Sequence, residues 1–260
     1  MDQMYKLAYE YRKTKLWKKM SDDKFFAIKL DDGKIGFINI MGQGNGYNAI
    51  NLTVGEDNLI NLKNFIESDF DLSKYEYFES TLFIESYQLI LGNKDDLETF
   101  EVEEVRKYKK ENNIKLSGSF TFPYFRKSLV FSPFIQFDSE NDYDYIKQAI
   151  NACIDLAYML KNSSVDDLGI YSIYDDPSIL VLEKEKTSYK IKDSLDIDWN
   201  KESTYPSATI IDIDTIRKIK KSKKLGVIEC RLLVLPSPVD DNEHQVFYPQ
   251  IIIGVDKRNG

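Results

Sequence analysis

Apolar positions along the chain recur first with a helical period and then with a period of two. Met4, Leu7, Ala8 and Tyr11 fall on one helix face, so residues 2–18 are predicted to form an amphipathic helix with Trp17 near its end. Ser21-Asp22-Asp23 breaks that pattern. Phe26, Ile28 and Leu30 then alternate as in a strand, Asp32-Gly33 carries a hairpin-turn signal, and Ile35 to Met41 is the returning strand. A glycine-rich loop, Gly42 to Gly46, leads to a third alternating segment with Ile50, Leu52 and Val54. Leu59, Leu62, Phe65 and Ile66 restore helical spacing, so the first 66 residues read α-β-β-β-α.

Further along, residues 80–91 read as one strand carrying Leu82, Ile84, Leu89 and Ile90, with Asp95 and Asp96 placed to cap the next segment. Residues 101–112 read as a charged helix with Val102, Val105 and Tyr108 inward. Residues 119–137 are rich in Phe and Tyr and hold Pro123 and Pro133. They read as extended chain or edge strand, because proline donates no ladder hydrogen bond. The most continuous stripe, Ile146, Ala149, Ile150, Cys153, Ala157 and Leu160, predicts a helix from about 140 to 161, capped by Ser139 and lying across a sheet. After a polar connector at 162–169, strands are expected near 179–183, 188–192, 208–213, 227–235 and 246–255, with a basic helix at about 214–224. The last two strands read as a wide hairpin.

This order predicts an α+β fold of mainly antiparallel sheets with flanking helices, in two closely packed lobes. Residues 1–165 would form an N-terminal α+β lobe and residues 166–260 a C-terminal β-rich lobe. A chain of 260 residues buries enough surface to fold without a metal or a disulfide framework. Its formal net charge of -8 lacks the basic footprint of non-specific nucleic-acid binding, although a local patch remains compatible. Cys153 and Cys230 both have apolar neighbours and read as buried free thiols. With no apolar signal core at the start and no run approaching 18 apolar residues, a cytoplasmic location without membrane contact is expected.

No residue set predicts catalysis. The sole histidine, His244, lies in a polar turn, and His and Cys together are too few for a zinc site. Paired aspartates fall in predicted turns, where they favour local hydrogen bonds; Asp212 and Asp214, on one strand face, are the pair best placed for a divalent metal. Gly42 and Gly44 offer backbone N–H groups to a ligand, but without the lysine of a P-loop. Tyr124 and Arg126 sit in the aromatic segment, where a groove with Arg126 as an anion or peptide contact is the sharper alternative to core packing. Two basic clusters, one from Arg12 to Lys19 and one holding Arg217, Lys218 and Lys221, are candidates for a nucleic-acid backbone or an acidic partner. The leading reading is a non-enzymatic binding or protein-interaction module with a protein partner and no cofactor. A nucleic-acid-associated protein and a carboxylate-metal enzyme are the alternatives.

Several segments carry a resemblance. They are Tyr5 to Tyr11 running into Leu16-Trp17-Lys18, then Phe26-Ala27-Ile28, Gly36 to Gly42, Phe122-Pro123-Tyr124-Phe125-Arg126, Tyr248-Pro249 and Val255-Asp256. In order and spacing the chain resembles an uncharacterised bacterial domain family of the Firmicutes, sometimes joined to SEC-C-type metal-binding tails. Phe122 stands where that family's pattern implies tryptophan, and a metal-binding tail is not expected from these residues. The resemblance implies one continuous fold and supplies no catalytic residue.

Overall fold

The structure, a computed structural model, describes residues 1–43, 48–67, 78, 81–115, 117–175, 178–200, 221, 227–240 and 246–257. Helix α1 spans Asp2–Thr14, and strands β1 (Phe25–Lys29), β2 (Ile35–Met41) and β3 (Asn48–Val54) form the expected meander. Helix α2 (Glu56–Glu67), strand β4 (Ser86–Gly92), helix α3 (Thr99–Glu111) and strand β5 (Phe122–Ser128) come next. Helix α4 (Glu140–Met159) precedes the hairpin of β6 (Ser178–Glu185) and β7 (Ser188–Asp196). The described chain closes with β8 (Ile228–Val234), β9 (Val239–Asp240), β10 (Val246–Phe247) and β11 (Gln250–Asp256).

One seven-stranded sheet, in the order β5-β4-β3-β2-β1-β6-β7, organises these elements into an α+β fold. Every pairing in it is antiparallel except β1 with β6. The strands on either side of residue 165 therefore share a single sheet. β5 forms its edge, which accommodates Pro123 because no ladder donor is needed on the outer side. β8 and β11 pair antiparallel in a separate two-stranded sheet.

The two faces of the large sheet are filled differently. On one, α1 and α4 cover Phe26, Ile28, Ile38, Ile40, Ile50, Leu52 and Leu89 in the principal core. On the other, Leu59 and Leu62 of α2 pack with Phe25, Ala27, Phe37 and Ile179. That second face also carries a polar row. Asn39, Asn51 and Gln88 stand in register on β2, β3 and β4, and their amides are linked at 3.0 Å each. A buried amide must be paired or it costs stability, and this ladder pairs them in sequence.

Several local predictions change. The first helix stops at Thr14, because Lys15 takes a left-handed conformation at φ +52°, a common way to end a helix. Thr14 Oγ1 donates to the Tyr11 carbonyl at 2.7 Å, and Trp17 falls in a short 3₁₀ turn. β4 begins at Ser86, so Leu82 and Ile84 precede it. Cys230 is exposed rather than buried: its apolar neighbours lie on a hairpin whose β8 residues are exposed from Ile228 to Leu232. The predicted strand at 208–213 lies outside the described residues, as does the basic helix apart from Lys221.

Helix α4 is fixed at its start as the sequence predicts. Ser139 Oγ accepts the Asp142 N–H, and Asp142 Oδ2 accepts the Ser139 N–H, both at 3.2 Å. Asp142 also accepts from Lys127 Nζ at 2.9 Å, which ties the helix N-terminus to the edge strand.

Candidate functional site

A cleft of about 150 Å³ opens at the β5 edge, where α1, α3, β5 and the segment leading into α4 meet. Its walls are mostly rings: Tyr5 from α1, Phe100 from α3, Tyr124 and Phe125 from β5, then Phe137 and Tyr143. Alternation on β5 divides these roles. Phe125 faces the principal core, while Tyr124 faces the opposite side with Ala49 and Ile90. The rings contact one another at tilted or edge-on angles. Phe137 and Tyr143 are 5.2 Å apart at 78°, and Phe125 and Phe137 are 5.9 Å apart at 38°. Such edge-to-face packing suits the ring quadrupole.

Gly92 makes room for one wall. A Cβ there would stand 2.6 Å from Tyr124 Cε1 and 2.9 Å from Asp96 Oδ2, closer than carbon atoms tolerate. The glycine thus lets the Tyr124 ring lie against the end of β4.

The charges at the cleft are unevenly matched. Arg126 is bound by Glu101 through a two-pronged contact, Nη1 to Oε1 at 2.6 Å and Nη2 to Oε2 at 2.8 Å. Its guanidinium also lies 4.8 Å from the Tyr124 ring centre. Glu101 Oε2 further accepts the Glu98 N–H at 3.0 Å at the start of α3. Arg126 and Glu101 therefore neutralise each other in a largely buried position. Glu104, one turn further along α3, is exposed and accepts a hydrogen bond from the Tyr5 hydroxyl at 3.1 Å. No cation pairs with Glu104 among the described residues. Burial first, and Glu104 second, push the hydroxyls of Tyr5 and Tyr143 above the ordinary phenol range, so both rings stay neutral. The cleft thus combines aromatic walls with Met1 and Gln136 beside them and carries the exposed Glu104 side chain at its rim.

A second, polar groove of about 690 Å³ runs between α4 and the turns of the β1–β2 and β6–β7 hairpins. Tyr145 Oη donates to Asp32 Oδ2 at 2.6 Å and accepts from Lys34 Nζ at 2.8 Å. The Tyr145 hydrogen bond holds the Asp32 carboxyl below its usual range, and contacts with Tyr145 and Asp32 raise the Lys34 ammonium above its own. Gln148 Oε1 accepts the Asp31 N–H at 2.9 Å. These contacts fasten α4 to the hairpin turn, and their groups are already engaged with one another.

Of the residues the sequence singles out, Tyr124 lines the cleft and Arg126 stands behind its wall, paired with Glu101. Gly42 lies at the end of β2 with φ +135°, beside Met41, which packs on the small cluster holding Tyr124. Gly44, His244, Asp212, Asp214, Arg217 and Lys218 lie outside the described residues, and Lys221 is helical and exposed. From the first basic cluster, Arg12 Nε donates to the Phe120 carbonyl at 2.8 Å and Lys19 Nζ to the Leu160 carbonyl, so both fasten the fold. Among the described residues no group of three or more His, Cys, Asp or Glu could hold a metal ion. No helix of the described chain is long and apolar enough to cross a membrane.

Tyr5, Phe100, Glu104 and Tyr143 are not singled out by the sequence. Tyr5 lies off the predicted apolar stripe of Met4, Leu7, Ala8 and Tyr11, Glu104 belongs to a segment predicted only as a charged helix, and nothing local signals that α1 and α3 converge on β5. The Glu98-x-x-Glu101 spacing does mark where α3 begins.

A family model described as a domain of unknown function (DUF7309) matches residues 2–170, and the chain belongs to that family. No curated protein and no solved structure matches the chain. All the cleft residues named above fall inside the matched span, whereas β6 to β11 lie beyond it.

Proposed function

We propose that this member of the family is a non-enzymatic binding module that holds a protein partner in the aromatic cleft at the β5 edge. The observation that carries the reading is the composition of the cleft: rings along most of its walls, Met1 and Gln136 beside them, and one exposed carboxylate, Glu104, at its rim. Such a surface suits a side chain with an apolar body and a positive tip, because the body gains ring contacts while the tip stays near the carboxylate. The nearby polar groups are already engaged, with Glu101 on Arg126 and the Tyr5 hydroxyl on Glu104. They favour holding a group over transferring a proton to it. A bacterial, cytoplasmic setting belongs to the same proposal, supported by the resemblance and by the lack of an apolar run in the sequence long enough to span a membrane.

Partner capture tests this reading. Tagged wild-type chain and a Phe100→Ala, Glu104→Gln double variant are expressed in the native host, and co-purifying proteins are quantified. Both side chains are exposed, so the variant keeps its fold. The proposal expects one or more partners to fall by at least about five-fold in the variant, the loss of one ring contact and one charge contact. Equal recovery of every partner would contradict it.

A further inference from the structure

The polar groove between α4 and the two hairpin turns holds groups that its fastening contacts leave unused. Asp32 pairs with Lys34 and Asp31 with Lys184. Lys147 and Asp144 on α4, and Lys186 in the β6–β7 turn, line the same groove. Their side chains make no hydrogen bond or ion pair among the described residues. Two ammoniums therefore stand against one carboxylate. Lys186 also holds φ +57°, a left-handed backbone uncommon for lysine. Tyr189 adds an independent observation. It lines the groove, yet it is 2% exposed and its hydroxyl has no hydrogen-bond partner among the described residues. A buried hydroxyl left unpaired destabilises a fold, and phenylalanine would fill the same ring volume without that cost. Burial first, and the Asp31 charge second, push the Tyr189 hydroxyl above the ordinary phenol range, so it keeps its proton and offers a donor.

We propose that this groove is a second site, independent of the cleft, for a sugar-sized hydroxylated anion whose phosphate or carboxylate is held by Lys147, Lys186 and the Tyr189 hydroxyl. An oxyanion accepts hydrogen bonds and donates none, which suits three donors, and bonds to charged groups are the strong ones. Asp144 and Asn141, on the same groove, give a hydroxylated body its acceptor and its amide partner. A bare inorganic anion would leave both unused. The volume of about 690 Å³ falls within the range of about 300–1,000 Å³ of small-molecule sites, and the polar lining favours a polyol over an apolar body.

The test is calorimetric titration of the full chain with four probes: glucose 6-phosphate, glucuronate, glucose and inorganic phosphate. At least one of the two charged sugars is expected to bind about ten-fold more tightly than glucose and than inorganic phosphate, and the tighter of the two identifies the anion. Lys147→Gln and Lys186→Gln are each expected to weaken it about five-fold. Tyr189→Phe is expected to weaken it by a similar factor while raising the Tm of the unliganded chain by about 2 °C, because the unpaired hydroxyl is gone. That opposite movement of affinity and stability is not expected of a residue that serves packing alone. Neither charged sugar binding, or glucose or inorganic phosphate binding as tightly as they do, would overturn the site. A lower Tm for Tyr189→Phe would show that the hydroxyl serves the fold and would overturn its role. Phe100→Ala and Glu104→Gln are expected to leave the titrations unchanged, so this proposal and the partner-capture reading fail separately.

Discussion

β2 and β11 are written in the same apolar alphabet and meet opposite fates. Ile38 and Ile40 of β2 are fully buried, whereas Ile252 of β11 is 73% exposed and Ile251 and Ile253 are exposed beside it. β2 lies inside the seven-stranded sheet, between α1 and α4 on one face and α2 on the other. β11 pairs with β8 alone among the described residues, with no helix packed on it. An apolar alternating segment therefore encodes a strand, while burial is conferred by whatever covers it.

The largest contrast is in packing. Phe26→Ala is expected to cost about 4 kcal/mol, because it opens a cavity at a fully buried position. Ile252→Ala is expected to cost less than about 0.5 kcal/mol. Urea unfolding of both variants checks this, and comparable losses would break the comparison.

Next comes the buried charge at the β5 edge. Lys127 donates to Asp138 at 2.6 Å and to Asp142 at 2.9 Å, and its side chain is almost entirely shielded. Lys127→Met leaves Asp142 buried without its cation and is expected to cost about 3 kcal/mol. The same pair sets a pH dependence. Burial raises the Asp142 carboxyl, but its hydrogen bonds from Lys127 and the backbone outweigh that and hold it below the ordinary aspartate range. The contribution is complete above the unfolded value of about 3.9 and is lost as pH falls through the lower folded value. Wild-type stability should therefore drop more steeply in acid than that of the Met variant.

Two strand glycines sharpen the comparison further. A Cβ at Gly36 would stand 2.7 Å from Leu52 Cδ1 inside the core, so Gly36→Ala is expected to cost about 2 kcal/mol. At Gly254 on β11 the nearest atom is Ile228 Cγ2 at 3.2 Å, on an exposed face with room to give. Gly254→Ala is expected to change stability by less than about 0.5 kcal/mol.

The smallest effect concerns the thiols. Cys230 is exposed and should react with a thiol reagent in the native protein. Burial pushes the Cys153 thiol well above its ordinary range, so it should react only after unfolding. Simultaneous labelling of both would contradict the packing of α4.

How much the sequence reveals divides along the same line. The meander, the capped α4 and the pairing of β8 with β11 are legible because each rests on a local period or a turn signal. Lys15 ends α1 by a backbone choice that leaves no mark in the apolar stripe. The exposure of Cys230 is hidden for a related reason, since its apolar neighbours record strand propensity and not cover. Of the cleft, Tyr124 is legible as part of an aromatic segment. Glu104, on an ordinary charged helix, gains its place only when α3 docks beside α1 and β5.

The cleft is a mixed aromatic and polar surface and the hairpin an exposed apolar one, and the central claim is that the cleft meets the partner. A photo-crosslinking amino acid placed at Phe100, and separately at Ile252, reports which surface meets a partner in the native host. The account predicts a discrete protein adduct from position 100, suppressed by Glu104→Gln in the same chain. Adducts of equal yield from both positions, or from position 252 alone, would contradict it.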